Sequence, residues 1–216
     1  MSLSFPIPAA DFANAFPIKS VEFDTIEFVD QQGARRGDVT TSVLALPRWR
    51  ASITMGPLDS RTDAAKAKAL MRRIGSTNYF NVYDPQHPFP RHDQDGTEIG
   101  DRTVRVLAIS GRSMKFSNLP ADYNLHPGDK FTIHYGANPT RKAFLEIAQF
   151  ASTNGDGDIN IFVDVNPYIP LGVHVNDVCD FRKPSCLMKF TSRSIGNAVG
   201  EWTHDISFEA IEARRT

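Results

Sequence analysis

The stretch Val39-Thr40-Thr41-Ser42-Val43-Leu44-Ala45-Leu46-Pro47-Arg48-Trp49-Arg50-Ala51-Ser52-Ile53-Thr54-Met55-Gly56-Pro57 decides the fold class. Its β-branched and aromatic content fits pleated, half-buried surface, and its punctuation predicts two strands. One runs from Val39 to Leu46 and is stopped by Pro47; the next runs from Trp49 to Met55 and ends at Gly56-Pro57. Upstream, Val21, Phe23 and Thr25 alternate with Glu22, Asp24 and Ile26, the period of two that marks a strand with one wet face, and Gln31-Gln32-Gly33 reads as the turn that follows. Downstream comes the one convincing helix. Ser60 stands three residues ahead of Asp63, Ala64, Ala67, Leu70 or Met71, and Ile74 recur at helical spacing, and Gly75 supplies the stop. Lys66, Lys68, Arg72 and Arg73 occupy its other faces and read as a solvated surface, with a dock for an acidic partner as the alternative.

On either side of this block the texture differs. The first eighteen residues hold Pro6, Pro8 and Pro17 together with three phenylalanines, Phe5, Phe12 and Phe16, which rules out a long helix and predicts an extended arm. Phe5, Ile7, Phe12 and Phe16 are out of place in a free tail, so the arm is expected to lie against this subunit's core or a neighbour's. From Thr103 onward short strands alternate with turns at close intervals: Val104 to Leu107, Met114 to Phe116, Phe131 to Tyr135, Ala143 to Phe150, Ile159 to Val165, with Pro127-Gly128-Asp129 and Asn154 to Asp158 as turns. That spacing predicts a small antiparallel barrel or sandwich. Long strands return at Cys186 to Phe190 and Thr203 to Ala213, joined by a hairpin loop containing Gly196 and Gly200.

Composition narrows function by exclusion. The chain has 216 residues, 41% of them hydrophobic, and 24 basic side chains nearly cancel 25 acidic ones. A chain of this length buries roughly 70% of its unfolded surface, enough for a real core. A net charge of -1 argues against nucleic-acid binding, which needs a surplus of Lys and Arg on one face. No stretch reaches the ~18–20 apolar residues of a membrane-spanning helix. Met1 to Pro8 resembles no secretory signal, so a soluble protein made inside the cell is expected. Fifteen Phe against two Trp, Trp49 and Trp202, suit strand surfaces and a core between layers.

Candidate chemistry is sparse. Cys179 and Cys186 are too few for a disulfide framework and read as reduced, buried thiols rather than metal ligands, the six histidines being scattered. His92, Asp93 and Asp95 share a loop and could be imagined around a divalent metal, but nothing in the sequence fixes them on a rigid element. Asp156, Asp158 and Asn160 mimic the opening of a calcium loop, yet Ile161 and Pro167 stand where the loop requires Gly and Glu. Nucleophile-elbow and phosphate-cradling glycine motifs are missing, and Glu209 and Glu212, three apart on a strand, point to opposite faces. No catalytic, cofactor-binding or metal-binding residue is therefore assigned, and the protein is expected not to be an enzyme.

One ordered set of motifs carries a resemblance. Leu46 to Leu58 leads into the helix; Phe80-Asn81-Val82-Tyr83-Asp84-Pro85, Leu119-Pro120-Ala121 and Pro127-Gly128-Asp129 follow; Ile206-Ser207-Phe208-Glu209-Ala210-Ile211-Glu212 closes the chain. In that order, across Val21 to Glu212, the sequence resembles the minor tail proteins of long-tailed bacteriophages, in particular distal tail proteins. The resemblance implies a mainly β fold: a tail-tube-like β-sandwich with one flanking α-helix and an inserted small antiparallel β-barrel. It divides the chain into an arm (1–18), a sandwich (19–100 with 173–216) and an insertion (101–172). It also implies a structural virion protein, made in the host cytoplasm, that forms a ring of six at the tail tip. Its partners would be the tail tube, the tape measure and the tip or hub proteins. The alternatives are a carbohydrate- or receptor-binding β-module and a glycan or cell-wall hydrolase. Residues 2–17 are expected to serve assembly.

Overall fold

The computed structural model describes residues 5–15, 18–33, 39–56, 61–137, 139–195 and 206–213. In chain order its elements are α1 (Ala9–Ala15), β1 (Ile18–Gly33), β2 (Val39–Met55), α2 (Arg61–Ile74), β3 (Phe80–Val82), β4 (Val104–Ser110), β5 (Ser113–Ser117), β6 (Asn124–Leu125) and β7 (Lys130–Tyr135). They continue with β8 (Arg141–Ile147), β9 (Ala151–Ser152), β10 (Val163–Asn166), β11 (Val178–Asp180), β12 (Cys186–Ile195) and β13 (Ile206–Glu212). The protein is mainly β. A five-stranded antiparallel sheet in the order β1-β2-β13-β12-β3 is joined to a closed barrel, β10-β5-β4-β11-β7-β8, with β6 and β9 as a separate pair.

The stretch read as two strands is one strand of 17 residues that passes through Pro47. Proline cannot donate to a ladder, so it is tolerated only where the ladder is interrupted. Here Ile26 faces Arg48 and Phe28 faces Ala45, so the register slips at Pro47, and β13 accompanies β2 only from Arg50 to Thr54. Gln31-Gln32-Gly33 is likewise strand rather than turn, opposite Thr41, Thr40 and Val39. The turn itself, the Ser60 cap, the Gly196 and Gly200 loop and Trp202 lie outside the described residues. The period-two pattern sorts the sheet into two faces. Val21, Trp49, Ala51, Ile53, Phe208, Ala210, Met188 and Phe190 form the buried one.

Two helices, not one, cover that buried face. Helix α2 follows its periodicity: Ala67, Met71 and Ile74 are buried, Arg72 and Arg73 are exposed, and Gly75 leaves the helix at φ 60°, where a Cβ would be strained. The expected extended arm instead contains α1, built from Ala9-Ala10-Asp11-Phe12-Ala13-Asn14-Ala15. Its four alanines favour helix, and the prolines bracket the segment rather than interrupt it. Before it, Ile7 forms a parallel bridge with Phe80, donating its N–H to the Tyr79 carbonyl (3.1 Å) while its own carbonyl accepts from Asn81 N–H (2.9 Å). Phe12 stacks on Phe80 (4.6 Å) and meets Phe208 edge-on (6.1 Å). The arm therefore covers the β3 edge of its own subunit.

The barrel has its own core, centred on Phe116, Phe131 and Phe181, whose ring centroids lie 5.1–5.4 Å apart. Its boundary differs from the expected 101–172. Strand β11, at Val178–Asp180, lies between β4 and β7, and closing the barrel requires it because an open edge would leave backbone groups unpaired. Gly157, at φ 82°, donates to Asn154 and accepts from Leu119 N–H (3.0 Å), pinning the 154–158 turn to the barrel.

Candidate functional site

The residues singled out from the sequence as candidate ligands do not converge. Asp93 is buried and accepts from the backbone N–H groups of Glu98 (3.2 Å) and Ile99 (2.9 Å), so it holds the loop from within. His92 turns instead to Glu98 (3.2 Å) and packs edge-on against Tyr123. Asp95 is exposed and accepts from both the backbone and hydroxyl of Thr97, contacts that hold its carboxyl below the usual range. Asn154 organises the next turn by accepting from the N–H groups of Asp156 (3.1 Å) and Asp158 (2.8 Å). Among the described residues, no group of three or more His, Cys, Asp or Glu side chains could hold a metal. Cys179 and Cys186 are free and lie in different cores; burial pushes both thiols up, so neither is poised as a nucleophile.

Glu209 and Glu212 stand on opposite faces of β13. Glu209 is half-exposed and pairs with Arg50 on the wet face. Glu212 is buried and accepts from the Trp49 N–H (3.3 Å). Burial pushes its carboxyl up to about 7, opposed by that N–H and by the charge on Arg48. The Trp49 indole N–H in turn donates to the Phe144 carbonyl of the barrel (2.6 Å), and Phe23, Trp49 and Phe144 pack with centroids 4.8–6.2 Å apart. Trp49 is thus the pin between sheet and barrel.

Beside the pin, Lys142 Nζ donates to the buried Ser185 hydroxyl (2.9 Å), and burial lowers the lysine, with Asp180 and Cys186 opposing. Sequence reading missed this pair because 43 residues separate the partners. The neighbouring cavity, ≈ 80 Å³, is lined by Lys142, Asn81 and Arg141 and does not include Ser185. The Lys142–Ser185 pair is a part-buried hydrogen bond that holds β8 to the β11–β12 connection.

Among the described residues, two exposed surfaces lie on the five-stranded sheet. One is the wet face of the sheet, carrying Glu22, Asp24, Arg50, Ser52 and Ser207. The other is the outer half of the β1–β2 hairpin, beyond the last β2–β13 pair, where Val39, Val43, Leu44 and Leu46 are 53–70% exposed. A ribbon of two strands that carries four large apolar side chains in solvent departs from an ordinary polar surface. No protein-family model matches the chain, and no curated protein matches it.

Proposed function

We propose that the protein is a structural ring subunit at the distal end of a long-tailed phage tail, joining the tail tube to the tip. The observation that carries this reading is the β1–β2 hairpin: its Val39, Val43, Leu44 and Leu46 are exposed, and among the described residues β1 ends its sheet with no further strand paired to it. An assembling subunit has a use for both features, whereas a free monomer is exposed to uncontrolled association through them. The fold class fits as well, because a mainly β subunit with a small added barrel is what the resemblance of Leu46–Leu58 and Ile206–Glu212 implies. On this reading the subunit is made in the host cytoplasm and forms a hexamer. Its neighbours are the tube, the tape measure and the tip proteins, and it performs no catalysis.

Light scattering on the purified protein tests the assembly. The expected mass is near six times 24.0 kDa, and a species of 24.0 kDa at all concentrations overturns the reading. A second reading, a saccharide-binding module, draws support from a polar cleft of ≈ 380 Å³ between sheet and barrel, lined by Phe23, Asp24, Glu27, Arg112, Glu146 and Asn166. Titration with cell-wall oligosaccharides distinguishes the two, because binding lost in Glu146→Ala with the mass unchanged favours the module.

A further inference from the structure

The two edges of the five-stranded sheet carry opposite charge. Edge strand β1 itself exposes four acids, Glu22, Asp24, Glu27 and Asp30, and one base, Lys19; of the bases on neighbouring strands, Arg50 stands opposite Asp24 but pairs with Glu209, and Arg112 lines the cleft beside Asp24 and Glu27. At the far edge, four strand spacings or about 19 Å away, β3 is reached from the C-terminal end of α2, where Arg72 and Arg73 are exposed. The Asn78 amide fixes this approach by donating to the Arg73 carbonyl (3.3 Å) only two residues before β3 begins. Just past β3, the exposed Lys183 lies over the Tyr83 ring (5.9 Å), adding a third base near that edge. Asp11 of α1 is the exposed acid nearby, and Asp84 is buried against His87 and Gln86.

We infer that the subunits join head to tail, the acidic β1 edge of one copy docking against the basic α2–β3 edge of the next. The inference deepens the proposed ring and rests on it. Three features select this contact. Pairing of β1 with a second β1 would set four carboxylates against four, which is unfavourable. Continuation of the ladder from β1 to a neighbouring β3 is blocked, because Ile7 already occupies that edge. A contact between two different patches is heterologous, and such contacts close into rings when the rotation per subunit permits. Arginine donors at the end of α2 suit the exposed carboxylates of β1.

Charge exchange tests it at low ionic strength, where screening between exposed charges is weakest. Two variants are made, Glu22→Lys with Asp24→Lys and Arg72→Glu with Arg73→Glu; both change exposed side chains only. By light scattering each variant alone is expected to fall from about six times 24.0 kDa to 24.0 kDa. An equimolar mixture is expected to recover the wild-type mass, because each mutant edge then meets its complement. Glu27→Lys with Asp30→Lys provides an independent acidic-side variant with the same expected loss and rescue. Either variant keeping the wild-type mass, or a mixture that stays dissociated, overturns the contact while leaving the ring itself standing. A wild-type protein that is monomeric overturns both.

Discussion

Glu212 gives the fold a pH dependence opposite to that of most carboxylates. Its ordinary value is 4.5, and burial beneath β2 raises it to about 7 in the folded protein. Below 4.5 the side chain is protonated in both folded and unfolded chains, and its full share of stability is present. Between 4.5 and about 7 the unfolded chain releases its proton while the folded chain holds it, so stability falls as pH rises. Above 7 the folded state carries a buried carboxylate at a cost of about 3 kcal/mol relative to pH 4.5. Glu212→Gln keeps an oxygen to accept the Trp49 N–H and removes the titration. At pH 8 the variant is expected to be more stable than wild type by up to about 3 kcal/mol, which for a chain of this size raises Tm by roughly 6–12 °C. At pH 4.5 the two are expected to coincide. Thermal unfolding at matched protein concentration, between pH 4.5 and 8, measures both curves. A wild-type curve that rises across this window, or a variant that keeps the wild-type slope, refutes the reasoning.

Three further outcomes follow from the packing. Phe12→Ala removes a ring stacked on Phe80 and is expected to cost about 3–5 kcal/mol in urea unfolding, so deletion of residues 2–17 lowers subunit stability before it affects assembly. Gly157→Ala drives a Cβ into the Leu119 carbonyl oxygen at a positive φ and is expected to destabilise the barrel by about 1–3 kcal/mol, read by denaturant midpoint. Cys179 and Cys186 are expected to resist a thiol reagent in the native protein and to react together after unfolding, because burial keeps both thiols protonated.

Periodicity made the strands of the sheet and the buried stripe of α2 legible, since Val21, Trp49, Ile53 and Ala67 obey local patterns that burial then enforces. Punctuation was the weaker guide. Pro47 breaks a strand only if its nitrogen must donate, and whether it must depends on the register opposite Ile26 and Phe28, which the strand's own residues do not contain. Prolines likewise hid α1, whose alanines decide the local conformation once Ile7 and Phe12 have a surface to pack on. The barrel was visible as a texture, but its sixth strand lay at Val178–Asp180, past the expected boundary, because three residues are too few for a period. The Trp49–Phe144 pin and the Lys142–Ser185 pair were invisible for a different reason: each joins elements distant in sequence, and neither partner is unusual by itself.

The reading of a ring subunit is tested most directly by negative-stain class averages of the purified protein at low ionic strength. Closed rings of six copies with a central hole are the predicted result. Single particles of 24.0 kDa, or two-fold dimers joined through β1, contradict the account.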